Sequence, residues 1–282
     1  MVEIHEWDAG DTAALLREPT AEDHKYSRGV LGVRTGSQEY PGAAVLGVEA
    51  AWRTGLGMVR YLGPDRASDL VLQRRPETVT MPGRVQAWLI GSGTDAATRP
   101  PAETARLQEL MRGEVPVVVD AGALDLVAGA TAPTVVTPHQ SEHARLRELL
   151  GLPERTATTL DERADAARDT ARSSGTTVLL KGAETIVAAP DGWTAVVRAG
   201  TGWLATAGTG DVLGGILGAI VAARGADHDL DAAALAPLAA AAAFVHGHAG
   251  RAAGAGPRTA LDVAEAVPGV VAALLAGDHA AF

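Results

Sequence analysis

Apolar residues recur along the chain in two rhythms. Short, mostly apolar runs at 30–33, 57–61, 85–90, 115–119, 134–136 and 178–180 have the length of buried strands. Stretches with helical spacing lie between them. One helix is predicted over 41–53, with Pro41 in its first turn and Gly55 as its stop. Others are predicted over 104–111, 140–150 and 161–172. The runs 185–189 and 193–197 flank Pro190-Asp-Gly and predict a hairpin. Three helices are predicted to close the chain, one after Asp211, one over 230–253 and one over 260–275. Residues 1–23 are polar and mixed, and read as a short N-terminal arm with a helix around 11–17. Strands alternating with helices predict an α/β fold with a mainly parallel central sheet. With no long linker, low-complexity block or repeat, 1–282 reads as a single domain.

Composition narrows the function. Of 282 residues, 47% are apolar, much of it alanine, which is a globular rather than a disordered balance. A net charge of −10 argues against a nucleic-acid partner, whose backbone needs a basic surface. The absence of cysteine excludes disulfides, thiolate metal sites and cysteine nucleophiles, and fits a cytoplasmic protein. The start of the chain is acidic and lacks the apolar core of a secretion signal. The longest apolar run, 232–245, falls short of the roughly 20 residues of a membrane span. No membrane partner is therefore expected.

The stretch 205–217, Ala-Thr-Ala-Gly-Thr-Gly-Asp-Val-Leu-Gly-Gly-Ile-Leu, carries the clearest chemistry. It reads as a tight glycine turn opening a buried helix. Free N–H groups and the positive dipole end at such a place suit a phosphate or a developing anion. An acid beside it, Asp211, can take a proton from a hydroxyl nucleophile. The competing reading is structural: Gly210, Gly214, Gly215 and Gly218 let helices pack closely, and Asp211 is merely an acid in a first turn. Polar or glycine residues also follow the predicted strands, at Gly91, Gly93, Asp120, His139 and Lys181. In open α/β sheets, ligands bind beyond the carboxyl ends of the strands, so these residues are expected to converge with Asp211. His246-Gly-His248 is not expected to bind a metal, because residues two apart on a helix face different ways. No further cluster with metal-ligand spacing supports such a site. There is no nucleophile elbow, dinucleotide fingerprint or Walker loop.

The segments His24-Lys-Tyr-Ser-Arg-Gly, Gly36-Ser-Gln-Glu-Tyr-Pro-Gly-Ala-Ala, Thr137-Pro-His-Gln-Ser-Glu, Leu180-Lys-Gly-Ala-Glu-Thr and Ala207-Gly-Thr-Gly-Asp-Val-Leu occur in this order. Together they resemble the ADP/ATP-dependent NAD(P)H-hydrate dehydratases of the ribokinase-like superfamily. The resemblance implies a three-layer ribokinase-like fold, with helices on both faces of the sheet. It implies repair of the S epimer of hydrated NADH or NADPH (NADHX, NADPHX) through phosphorylation of the ring C6 hydroxyl and loss of phosphate. ADP giving AMP and phosphate is the implied donor, with ATP the other candidate and Mg2+ accompanying the nucleotide. Asp211 would be the base. Lys181, Gly182, Ala183, Glu184, Thr185, Gly208, Thr209 and Gly210 would bind the nucleotide. Ala43, Gly93, His139 and Asp211 would bind the hydrated dinucleotide.

The epimerase domain that precedes larger relatives is expected to be absent, since only some two dozen residues lie before the matched region. The family and the alanine-rich tail imply a symmetric homo-oligomer, with a tetramer suspected. Three segments depart from the family's usual pattern. Gln140-Ser141 stands for Pro-Gly, the loop 91–95 is altered, and Gly122 replaces a frequent Asp. The alternatives are a kinase of a thiazole or hydroxymethylpyrimidine alcohol, and a nucleotide-binding sensor without turnover.

Overall fold

The computed structural model describes residues 4–278 and 282. Nine strands form one sheet in the order β1-β9-β8-β7-β6-β5-β4-β2-β3. They are β1 (His5–Glu6), β2 (Val30–Arg34), β3 (Met58–Tyr61), β4 (Ala87–Ile90), β5 (Val117–Val119), β6 (Thr134–Val136), β7 (Thr177–Leu180), β8 (Thr185–Ala188) and β9 (Thr194–Val197). Only β8 runs antiparallel to its neighbours. It is joined to β9 by the predicted turn, in which Gly192 takes φ +102°. Because the carboxyl ends of the other strands share one edge, residues that follow them in sequence gather there.

The short strands are apolar on both sides because both faces are covered. Val118, Leu89, Leu31 and Leu179 enter one core, while Val117, Val119, Ile90 and Val136 enter the other. The first core lies under α2 (Gly42–Thr54), α7 (Thr209–Arg224), α8 (Leu235–Ala252) and α9 (Ala260–Leu275). The second lies under α4 (Pro101–Met111), α5 (Gln140–Leu149), α6 (Leu160–Ser174) and a 3-10 run, Ala121–Gly129. This is the expected three-layer α/β arrangement.

The helix α3 (Asp65–Arg74) has no counterpart in the sequence reading. It buries only Ala67 and Val71, too few apolar positions to show a period. The helix α8 begins five residues later than predicted, with Pro237 in its first turn. The N-terminal stretch is built into the molecule. β1 pairs with β9, Trp7 and Ala9 are buried, and the short helix α1 is Ala9–Ala13 rather than 11–17.

The glycines of α7 divide by use. A Cβ on Gly215 would lie 2.2 Å from the Gly47 carbonyl oxygen of α2, and one on Gly218 would meet Leu31 at 2.9 Å. These positions serve close helix and sheet packing, as the structural reading held. Gly210 differs, since the nearest atom to a Cβ there is Lys181 Nζ, at 3.6 Å.

Candidate active site

Four adjacent strands, β4, β5, β6 and β7, are each followed by a polar residue near the open edge: Ser92, Asp120, Thr137 and Lys181. Asp120 is buried and accepts three hydrogen bonds. They come from Ser92 Oγ at 3.0 Å, Thr137 Oγ1 at 2.7 Å and Lys181 Nζ at 2.8 Å. Burial alone would raise its pKa. The lysine charge and the three donors overcome that and hold Asp120 below the ordinary carboxylate value. Lys181 is raised despite its burial, by the charges of Asp120 and of Glu142, whose carboxyl lies 3.7 Å away. Asp120 stands just before the 3-10 run, yet its side chain makes no capping bond there.

Opposite these strand ends begins α7. Gly208, the residue before it, has φ +90°, a conformation glycine adopts without strain. The turn is tied down by Thr209, whose hydroxyl donates to the carbonyls of Leu204 at 2.7 Å and Thr206 at 2.9 Å. The Thr209 N–H donates to Thr206 O at 3.3 Å. Of the three amides expected to hold a phosphate, those of Gly208 and Gly210 therefore remain without an internal partner among the described residues. Asp211 follows in the first turn. Burial pushes its carboxyl up to about 6, the Asp120 charge adds to this, and Ser92 and Lys181 oppose it.

A cavity of about 470 Å³ opens beside this turn. Lys181, Gly182, Ala183, Thr185, Thr209, Gly210 and His139 all line it. Its far wall is apolar, from Val197, Leu204 and Ala243. Glu184 belongs to the same segment, but its carboxylate turns to Arg198 at 2.8 Å, outside the lining. Ala43 and Gly93 lie outside this lining too and meet each other: a Cβ on Gly93 would be 2.6 Å from the Ala43 Cβ. The helix carrying Ala43 crosses the start of α7, where a Cβ on Gly47 would sit 3.5 Å from the Asp211 carbonyl oxygen.

His139 precedes α5 and closes a capping box with Glu142. Its Nδ1 accepts from Glu142 N at 3.3 Å, and Glu142 Oε2 accepts from His139 N at 2.8 Å. Ser141, one of the departing residues, places its hydroxyl 3.0 Å from the same Nδ1. The other two departures meet each other. A Cβ on Gly122 would fall 2.0 Å from the Thr94 carbonyl oxygen, so the altered 91–95 loop demands glycine there. Ser92 and Thr137 were not singled out in the sequence, although each is a polar residue near the end of a buried strand. His246 also joins the cavity, from the middle of α8, and nothing local in the sequence signals this.

The fold matches that of a ribokinase-like superfamily protein of Enterococcus faecalis, with a TM-score of 0.79 at 20% identity, and the site lies beyond the strand ends, where open α/β sheets bind ligands. Residues 31–267 match the family described as NAD(P)H-hydrate dehydratase. The chain belongs to that family. It is 45% identical over 230 residues to the bifunctional NAD(P)H-hydrate repair enzyme Nnr of Mycobacterium tuberculosis, covering 77% of this chain and 46% of that protein. The chain thus spans about half the length of the bifunctional relatives it matches. The ADP-dependent (S)-NAD(P)H-hydrate dehydratase of Neisseria meningitidis is 32% identical over 280 residues, covering 92% of this chain and 86% of its own. The ADP/ATP-dependent NAD(P)H-hydrate dehydratase of Bacillus subtilis, co-crystallized with ATP/Mg2+, superposes with a TM-score of 0.80 at 26% identity. That match covers 97% of this chain and 100% of the other.

Proposed function

We propose that the chain dehydrates the S epimer of NADHX and NADPHX at the expense of ADP or ATP, with ADP as the working donor. One observation carries the reading. In a chain of this family, an ammonium, two free amides at a helix start and a carboxyl of raised proton affinity meet beside a nucleotide-sized cavity. The nucleotide fills the cavity with its terminal phosphate at Lys181, Gly208 and Gly210. The hydrated ring enters from the side of Ala43 and Gly93. Mg2+ bound with the nucleotide would offset charge on its phosphates and keep most of its own waters. Among the described residues, no group of three His, Cys, Asp or Glu side chains is suited to a metal.

The chemistry then follows from the residues. Asp211 takes the proton of the C6 hydroxyl, and the oxygen attacks the terminal phosphorus. The bond from that phosphorus to the bridging oxygen breaks, releasing AMP when ADP is the donor. Phosphate leaves from C6, pushed by the lone pair of the ring nitrogen. Loss of a proton from C5 restores the dihydropyridine. Lys181 and the amides stabilise charge on the phosphate throughout. A carboxyl with a pKa of about 6 is ionised at neutral pH yet a stronger base than an ordinary aspartate.

The test is a rise at the reduced-nicotinamide absorbance band, with NADHX, Mg2+ and ADP or ATP in parallel. A rise that requires nucleotide supports the reading and identifies the donor. No rise in a folded, nucleotide-binding protein favours a small-alcohol kinase, and a stable phosphorylated alcohol as product would establish one. The homo-oligomer, a tetramer in this reading, is checked by light scattering after gel filtration. For the membrane, the relevant finding is that no helix among the described residues is long and apolar enough to cross one.

A further inference from the structure

The turn 181–184, between β7 and β8, presents backbone to the cavity. Gly182 and Ala183 line it, and neither N–H has a partner among the described residues. Free amides of this kind suit an anion, provided the turn keeps one shape. Its start is fixed by the Lys181 N–H, which donates to the Pro138 carbonyl at 2.8 Å. The rest is held from another element. Arg163 lies in the first turn of α6, an end set by the capping box of Thr159 and Glu162. Its Nη2 donates to the Glu184 carbonyl at 3.1 Å. A bond from a guanidinium is stronger than one between neutral groups.

The sequence of the turn fits this contact. A Cβ on Gly182 would stand 2.4 Å from the same Nη2 and 3.3 Å from Cζ, so the guanidinium lies against the bare Cα. Gly182 has no positive φ, and the backbone itself therefore does not call for glycine there. Other arginines nearby are differently committed. Arg147 pairs with Asp169 at 3.0 Å and Arg168 with Asp165 at 2.6 Å. Among the described residues, the hydrogen bond to the turn is the only one that Arg163 makes.

We propose that Arg163 is a positioning residue for the nucleotide. It braces the turn so that the Gly182 and Ala183 amides meet the ligand, and glycine stands at 182 to make room for it. This rests on the cavity being the nucleotide site. Calorimetry with ADP and Mg2+ compares the wild type, Arg163→Met, Arg163→Lys, Gly182→Ala and the double variant Arg163→Met/Gly182→Ala. The absorbance assay supplies kcat at saturating nucleotide. Arg163→Met should bind ADP about tenfold more weakly, the scale of one hydrogen bond to a charged group, with kcat within about twofold. Arg163→Lys keeps a charged donor without the planar fork and should recover part of the lost affinity. Gly182→Ala pushes a flexible side chain aside and should itself weaken ADP severalfold. Added to Arg163→Met it should cost less than about twofold more, since both changes act through one contact. Wild-type affinity in Arg163→Met overturns the proposal, and so do losses that add in the double variant or a fall confined to kcat. If Arg163→Met does not fold, wild-type affinity in both Arg163→Lys and Gly182→Ala overturns it. Failure of the wild type to bind ADP or ATP overturns the nucleotide reading of the cavity, and this proposal with it. That outcome is distinct from normal binding that the variants leave unchanged.

Discussion

Asp120 and Asp211 share one ammonium as a neighbour and differ in proton affinity. Asp120 receives three hydrogen bonds, the Lys181 ammonium among them, and is held as a carboxylate. Asp211 is largely buried, has no ion-pair partner within reach among the described residues, and feels the negative charge of Asp120. Desolvation acts on both. Only at Asp120 do donors outweigh it. Two identical side chains thereby take different tasks. One anchors a cation that reaches toward the helix start, and the other is left able to accept a proton.

The sharpest way to break this contrast is Asp211→Asn. Turnover should fall by at least about a hundredfold with nucleotide affinity nearly kept, as for loss of a general base. Absorbance assays and calorimetry on the same preparation check this, and near-normal turnover would remove Asp211 from the mechanism. The same variant should melt higher than wild type at pH 7. The folded-state pKa lies above the unfolded value, so burying the carboxylate costs stability at neutral pH. That advantage should shrink as pH falls from about 6 toward the unfolded value of 3.8.

Lys181→Met attacks the other half of the pair. It strands a buried carboxylate, and urea unfolding should show a loss of about 3 kcal/mol. The KM for the nucleotide should rise at least about tenfold as a phosphate contact disappears.

Asp120→Asn sharpens the comparison through pH. In the wild type, kcat/KM should rise with pH through about 6 and then level, since in the proposed mechanism only ionised Asp211 accepts the proton. Removing a negative neighbour favours that ionised form. The rising limb should therefore move to lower pH, by up to about one unit. An unmoved limb would mean that the two carboxyls are not coupled.

Ser92→Ala should have the smallest effect. One of the three donors to Asp120 is lost, costing about 1 kcal/mol of stability with turnover nearly unchanged. Thermal melts and the absorbance assay together separate these outcomes.

Much of this was legible along the chain. The runs 115–119 and 178–180 announce strands covered on both faces, since a half-exposed strand would alternate. Gly208, Gly210 and Asp211 announce a helix start suited to an anion. The segment 181–185 was read as a unit, but its members separate: Glu184 turns out to Arg198, while the others line the cavity. Adjacent residues share an address in the sequence without sharing a direction. α3 escaped notice because a helix with two buried residues has almost no apolar period to detect.

What the sequence determined by itself is local: where strands and helices form, where glycine breaks them, and that a polar residue follows several buried strands. These depend on backbone preferences and on the spacing of apolar side chains within a few residues. The tertiary structure decided which of those polar residues meet. It brought Ser92, Thr137 and Lys181 around Asp120, left Asp211 with too little such support to offset its burial, and set His246 against the start of α7. Desolvation and Coulomb energy depend on distance through space, and a linear chain does not carry that distance until it has folded.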